Sequence, residues 1–268
     1  MLADPYRAGR RHTGGCLADT WHTRHVMRHR ARYGVDGGYA GIFVLLLAEA
    51  SLAAGAAWAN RRDKPHLGYL AKGLAVAVLG VAASYFYSTG PGKLSVWKQL
   101  LDDLGLQGDE HVLDIGCGRG AVLISAAQRL SSGRATGADI WRLRDQTGNS
   151  QAAARRNAEI ESVSERVDLV NADARDLPFL SGSFDVVLSN LAVSNISDGD
   201  ERAKALREAV RVLRPGGQLR IVDDRADRYS SVLRLAGCTN VEVRRLDWRT
   251  WSGFPGHHFT LISAQKPA

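Results

Sequence analysis

Two long apolar runs stand near the start of this chain, and a different rhythm follows them. Tyr39 to Ala59 holds one charged residue, Glu49, and Tyr69 to Tyr87 holds one, Lys72. Each run is about as long as a bilayer-spanning helix, which takes roughly 20 apolar residues. In the first run the Ile, Phe, Val and Leu residues together favour insertion by about 3 kcal/mol. A charged, unpaired Glu49 at its centre costs about as much. Lys72 lies near the start of the second run, where its stem reaches towards headgroups. Gly55, Ala56, Gly73, Gly80 and Ala83 are small enough to let two such helices approach closely. The pattern predicts two hydrophobic helices over residues 37–90, joined by the basic loop Asn60-Arg61-Arg62-Asp63-Lys64-Pro65-His66. They form a membrane hairpin or, as the alternative, a soluble helical cap over a substrate pocket.

Beyond residue 110 short apolar runs alternate with longer amphipathic stretches. Val112–Ile115, Ala135–Ala138, Val167–Val170, Phe184–Asn190 and Gln218–Val222 read as strands. One helix is expected to start near Ala121 and a second near Ser150. A third carries Leu206, Val210 and Leu213 and stops at Arg214-Pro215-Gly216-Gly217. Val241–Val243 and His258–Ile262 read as two further strands. Strands alternating with helices predict an α/β fold with a parallel sheet and helices on both faces. Ligands in such sheets bind at the carboxyl ends of the strands. Asp114, Asp139, Asp173 and Asn190 all fall at such ends.

The first strand runs into Asp114-Ile115-Gly116-Cys117-Gly118-Arg119-Gly120. Glycine tolerates positive φ and lets backbone come close to a ligand. A helix opening just after would aim its amides at whatever sits on the turn. The dinucleotide fingerprint is Gly-x-Gly-x-x-Gly. Here the spacing is one residue shorter, and Asp114 precedes it. A carboxylate at that point repels a pyrophosphate and favours a cation. S-adenosylmethionine has an amino group and a sulfonium and no phosphate. A nicotinamide-dependent oxidoreductase is the alternative that this spacing opposes.

The stretch Val112-Leu113-Asp114-Ile115-Gly116-Cys117-Gly118-Arg119-Gly120 resembles the first motif of the class I S-adenosylmethionine-dependent methyltransferases. The later landmarks follow in order: Asp139 after the second strand, Asn171-Ala172-Asp173-Ala174 and Asp176-Leu177-Pro178-Phe179 after the third, and Val212-Leu213-Arg214-Pro215-Gly216-Gly217 before the fifth. The resemblance covers about residues 94–268. It implies a Rossmann-like doubly wound sheet of seven strands, the last pair antiparallel, with S-adenosylmethionine as cofactor. It implies a cofactor site of Asp114, Gly116, Cys117, Gly118, Gly120, Asp139, Ile140, Asp173, Ala174 and Asn190. In it Asp139 holds the ribose hydroxyls, Ile140 packs on the adenine face and Asp173 takes the adenine amino group. The segment Trp141–Ser150 departs from the pattern by delaying the second helix, and reads either as a wall over the adenosine or as a solvated loop. With the apolar runs, it is reminiscent of a bacterial subgroup with hydrophobic N-terminal segments.

Composition trims the remaining options. The formal net charge is +7, and the first 36 residues hold seven arginines against three aspartates. They read as a basic, disordered tail, and Met27 is a second candidate start. No aromatic-interleaved basic stripe runs through the domain, which argues against nucleic acid. Cys16, Cys117 and Cys238 are scattered and odd in number, without disulfide or metal spacing. His12, His22, His25 and His29 fit no zinc template, so no metal is expected. The domains expected are a tail over 1–36, the hairpin over 37–90 and a catalytic domain over 91–268. Asn190, Ser194 and Asn195, then Asp223 and Asp224, are candidates for handling the acceptor's proton, with His257 and His258 behind them. The reading is a methyltransferase acting on a small-molecule or lipid acceptor. It is expected at the inner membrane with its domain in the cytoplasm, or alternatively wholly in the cytoplasm. Arginines before the first run suit a cytoplasmic start, while the basic loop between the runs opposes it.

Overall fold

The computed structural model describes residues 31–37, 40–224, 226–253 and 258–268. The expectations for residues 1–30, which include Cys16, Met27 and the four tail histidines, lie outside these, as does that for His257.

The apolar runs form α1 (Ala40–Arg61) and α2 (Pro65–Tyr87). Pro65 occupies the first turn of α2, where a missing N–H costs no helical bond. The two helices pack on each other, with Ala56, Ala59 and Gly68 buried between them. Their outward faces leave Phe43, Val44, Leu46, Leu70 and Val76 exposed. α2 does not end at the domain. It passes through a π turn, Ser88–Gly92, into α3 (Lys93–Asp102), so that helix runs unbroken from Pro65 to Asp102. Pro91 sits in that turn. It cannot donate the bond that an α-helix requires there. The hairpin's root is fixed to the loop before the last strand. The Tyr87 ring stacks on Trp248 at 5.5 Å, and Ser84 Oγ donates to the Trp251 carbonyl at 2.8 Å.

The domain proceeds as β1 (His111–Ile115), α4 (Ala121–Ala127), β2 (Arg134–Asp139), α5 (Gln151–Ile160), β3 (Val167–Asn171), β4 (Phe184–Asn190), α6 (Gly199–Val212), β5 (Leu213–Asp223), α7 (Ser230–Leu235), β6 (Thr239–Arg245) and β7 (Thr260–Gln265). These strands form one sheet in the order β3-β2-β1-β4-β5-β7-β6. β7 is antiparallel to both of its neighbours, and the other pairings are parallel. Alternate residues of each central strand face opposite layers. Val112, Val186 and Leu188 pack with α3 and α4, while Leu113, Val187 and Leu219 pack with α6 and α7. Each fully buried Leu or Val contributes about 1.5–3 kcal/mol of hydrophobic stabilisation. The strand order reverses between β1 and β4, and a crevice opens there at the carboxyl ends.

The predicted elements are in place, with shifted ends. Leu213 opens β5 instead of closing α6, because Val212 and Leu213 are both drawn into the core. The Pro-Gly-Gly stretch bulges out of β5, so that Phe184 faces Leu213 while Val186 faces Gln218. His258 precedes β7 and is not part of it. Ser150 caps α5 by accepting the Ala153 amide.

The expectation of a disordered tail over 1–36 does not hold for residues 31–36. They lie as a strap along 141–150. Asp36 and Gln146 form an antiparallel bridge. The Val35 amide donates to Thr147 Oγ1 at 2.8 Å, and the Thr147 amide donates back to the Val35 carbonyl at 3.0 Å. Asn157 on α5 accepts the Arg32 amide and donates to the carbonyls of Arg32 and Arg119.

Candidate active site

A pocket of about 280 Å³ lies at the carboxyl ends of β1, β2 and β4. Of the residues expected to hold a cofactor, Asp114, Gly116, Cys117, Gly118, Asp139, Ile140, Asp173, Ala174 and Asn190 reach its wall. Gly120 does not. It stands behind the wall in the left-handed region, φ +86°, at the start of α4.

The backbone amides of the glycine loop are all bonded within the protein. Gly116 and Cys117 donate to the Ala138 carbonyl, Gly118 to Asp139 Oδ2 at 2.7 Å, Arg119 to Gln146 Oε1 at 2.9 Å and Gly120 to the Cys117 carbonyl. All five amides from 116 to 120 are therefore spent within the protein. Gly116 is needed because Ala192 sits against its Cα at φ +73°. Gly118, at φ +53°, would place a Cβ 2.6 Å from Gln146 Oε1.

Asp114 is the loop's unpaired polar group. It is 1% exposed, lines the pocket, and neither carboxylate oxygen makes a hydrogen bond of ordinary geometry. Burial pushes its carboxyl up to about 8, against the weaker pull of the Leu123 amide and of Lys93. Cys117 beside it is a buried thiol, pushed up by burial and by Asp114, which suits a filler and not a nucleophile.

Asp139 and Asp173 carry protein partners of their own. Asp139 accepts the amides of Gly118 and Trp141, and burial raises its pKa. It ties β2 to the glycine loop. Asp173 accepts both Arg175 Nε at 2.9 Å and Arg175 Nη2 at 2.6 Å. The guanidinium holds its carboxyl down at about 2. Arg175 also pairs with Glu201 on α6.

On the other side of the pocket, Asn190 Oδ1 accepts the Trp97 indole N–H at 2.7 Å, which fixes the carboxamide. Asn195 donates to the Leu191 carbonyl. Carboxamides are not bases, so Asn190 and Asn195 can orient an acceptor but cannot take its proton. The Ser194 amide donates to Asp223 Oδ2 at 3.0 Å. Asp223 is completely buried, and burial raises its pKa, as does its neighbour Asp224. Asp224 reaches the pocket wall.

Sequence reasoning missed the contribution of the N-terminal segments. Asp36, Tyr85, Thr89 and Lys93 line the same pocket. Lys93 is buried and pairs with Asp36 at 2.9 Å. The Tyr85 hydroxyl donates to the Asp36 carbonyl, and Gln146 Nε2 donates to Asp36 Oδ1. The one available signal was a lysine placed directly after the second apolar run, too buried a setting to stay unpaired. No metal-binding group of His, Cys, Asp or Glu occurs among the described residues.

Residues 113–221 match a family profile described as a methyltransferase domain. The chain is 32% identical over 129 residues to the ubiquinone/menaquinone biosynthesis C-methyltransferase of Roseobacter denitrificans, covering 48% of each protein. It is 33% identical over 126 residues to the demethylmenaquinone methyltransferase of Staphylococcus aureus, covering 46% of this chain and 47% of that one. The chain thus spans about half the length of the curated relatives it matches. Geranyl diphosphate C-methyltransferase of Streptomyces coelicolor, solved with Mg2+, geranyl diphosphate and S-adenosylhomocysteine, shares its fold with a TM-score of 0.52. The identity there is 17%, over 64% of this chain and 79% of that one.

Proposed function

We propose that this chain, whose residues 113–221 form a class I S-adenosylmethionine-dependent methyltransferase domain, methylates a lipophilic small molecule at a membrane surface. The observation that carries the cofactor half of this reading is the glycine loop. Its amides from 116 to 120 are all donated inward, so they offer nothing to a phosphate. What the loop presents is the unpaired carboxyl of Asp114. A buried carboxyl without a partner suits a cationic ligand, and S-adenosylmethionine is one.

When bound, the cofactor supplies a methyl group on a sulfonium, a centre that needs no further activation. The chain's own share is binding, orientation and exclusion of water. In this reading Asp114 faces the cation, Asp139 and Asp173 hold ribose and adenine, and Ile140 and Ala174 pack on the base. The protein bonds already made by Asp139 and Asp173 leave oxygen lone pairs for these roles. Asn190 presents its amide N–H groups to the acceptor side, since its oxygen belongs to Trp97.

Support for the membrane half comes from the hairpin. Both helices are long and apolar enough to cross a bilayer, and little of either is covered by the rest of the protein. Exposed aromatic residues stand at both ends, Trp58 and Tyr69 by the basic tip and Phe86 and Trp248 at the root. The rise from Tyr69 to Phe86 is about 25 Å. That is close to the roughly 30 Å of a hydrocarbon core. Aromatic rings favour its two edges. The root also supplies Tyr85, Thr89 and Lys93 to the pocket. An acceptor resident in the bilayer therefore meets the active site where the hairpin meets the domain, with the domain on the cytoplasmic side. The relatives named for ubiquinone and menaquinone biosynthesis suggest a prenylated ring compound as acceptor class. A soluble enzyme with a helical cap is less well supported, because a cap would bury its apolar faces on the domain.

The test is fractionation combined with labelling. Purified protein receives S-adenosylmethionine labelled in its methyl group together with bacterial lipid extract or polar cell extract. Label in the lipid fraction, and protein retained in membranes through a carbonate wash, is the expected result. Label confined to polar molecules, with the protein released by the wash, overturns the membrane reading.

A further inference from the structure

We infer that Asp224, held by Asp223, is the base that takes a proton from the acceptor, so that the acceptor is an acidic C–H or O–H compound. The inference rests on the methyltransferase reading above and adds what that reading leaves open.

The argument starts from placement. β5 ends beside β4, with Val222 opposite Asn190. Asp223 ends β5, buried and opposite Thr260, and Asp224 follows it to the pocket wall, where Asn190 and Ser194 also stand. Asp224 lines the pocket with Ser194, Asn195 and Ile196. Of the three carboxyls assigned to the cofactor, Asp114 lies near the end of β1, Asp139 ends β2 and Asp173 follows β3. The sheet order places β4 between β1 and β5. Asp224 is thus separated by one strand from Asp114, by two from Asp139 and by three from Asp173, on the Asn190 side of the pocket.

Asp223 gives the arrangement its chemical character. Its Oδ2 accepts the Ser194 amide at 3.0 Å and its Oδ1 accepts the Asp224 amide at 2.8 Å. The backbone of Asp224 is fixed by this bond. The groups facing Asp223 are Asp224 and the buried Tyr229 hydroxyl, and Arg202 on α6 faces that hydroxyl. Arg202 is occupied with the carbonyls of Ile196 and Ser197. Burial and the neighbouring Asp224 carboxyl raise the pKa of Asp223.

A neutral amine or a thiolate acceptor needs no such group, because it attacks with a pair already free. A phenol, hydroquinone or acidic C–H must first give up its proton. The step balances without redox change. The acceptor's proton passes to a carboxylate oxygen of Asp224, and the freed pair on the acceptor forms the new bond to the methyl carbon. The sulfur–methyl pair stays on sulfur as a neutral thioether. Asp223 does not touch the acceptor. It is a positioning residue that holds Asp224 and shares its proton.

The test compares wild type with Asp224→Asn, Asp224→Glu and Asp223→Asn, using labelled S-adenosylmethionine and a short-chain prenylated hydroquinone as probe, with bacterial lipid extract in parallel. The expected result for Asp224→Asn is a loss of kcat of about 10²–10⁴-fold, the range for removal of a general base. Cofactor affinity by calorimetry stays within about threefold. The rise of kcat with pH in wild type disappears, and Asp224→Glu restores part of the rate. Asp223→Asn lowers kcat less and shifts the pH profile. If Asp223→Asn fails to fold, Asp224→Asn on the pocket surface decides alone. Label transferred by Asp224→Asn at near wild-type rate, with the same pH profile, overturns the inference and leaves the methyltransferase reading intact. Wild type that binds cofactor but labels neither probe nor extract overturns that reading, and the inference falls with it.

Discussion

Gln146 Nε2 donates to Asp36 Oδ1 at 3.0 Å, joining two segments 110 residues apart. The same carboxamide accepts the Arg119 amide from the glycine loop, and the same carboxylate binds Lys93 at the hairpin root. One side chain therefore links the cofactor loop, the N-terminal strap and the helical hairpin. Replacing Gln146 by Ala removes a hydrogen bond to a charged group, worth about 1.5–3 kcal/mol, and releases one loop amide. S-adenosylmethionine affinity is expected to fall by roughly tenfold and thermal stability by about 2 kcal/mol. Calorimetry and thermal melts check both. An unchanged affinity shows that the strap does not support the cofactor side of the pocket.

Asp114 makes cofactor binding depend on pH in a definite direction. In the free protein its carboxyl titrates near 8, so it is protonated at neutral pH. A cation beside it favours the charged form, so binding expels a proton below pH 8. Affinity should rise with pH, by at most tenfold per unit, and level off above about 8. Calorimetry at pH 7 in buffers of different ionisation enthalpy should count close to one proton released, and Asp114→Asn should count none. The same group affects stability. Its unfolded pKa is about 3.9. Between about pH 4 and pH 8 the folded chain holds a proton that the unfolded chain has lost, so this contribution to stability falls as pH rises. Asp114→Asn removes that slope.

Gly118 and Gly80 offer a contrast within one residue type. Gly118 sits at φ +53° with Gln146 against the position of a Cβ, while Gly80 lies in α2 with nothing within 4 Å. Gly118→Ala is expected to cost about 1–2 kcal/mol in backbone strain and to abolish tight cofactor binding. Gly80→Ala is expected to be neutral or to stabilise α2 by up to about 1 kcal/mol. Equal effects in the two melts would falsify the loop's role.

Leu46→Asp and Val76→Asp place charges on the outward faces of α1 and α2, at positions exposed among the described residues. Each aspartate costs about 3 kcal/mol in a bilayer centre. The double variant should leave the membrane pellet for the soluble fraction and still bind S-adenosylmethionine with unchanged affinity. A double variant that stays in the pellet points to anchoring by another part of the chain.

Much of the fold was legible because its signals are local. Val112, Leu113 and Ile115 are buried on both faces of a parallel sheet and read as a continuous apolar run. Asp114, Asp139 and Asp173 were legible because they stand at strand ends. Their partners were not. The bond from Gly118 to Asp139 and the pair between Asp173 and Arg175 depend on backbone paths that periodicity does not specify. Least legible were Asp36 and Lys93. Asp36 reads as part of a charged tail, and only the return of the strap along 141–150 brings it to the pocket.

The π turn at Ser88–Gly92 has a geometric corollary. It joins the last apolar turn of the hairpin to a pocket residue, Lys93, with no flexible linker between them. Along a helix that interval is about 9 Å. With α2 seated in a bilayer, the reaction centre stands at one set altitude above it. The enzyme would then act as a depth gauge, choosing acceptors by how far their reactive ring stands out of the lipid. Inserting or deleting single residues in the turn changes that altitude without touching the pocket's chemistry.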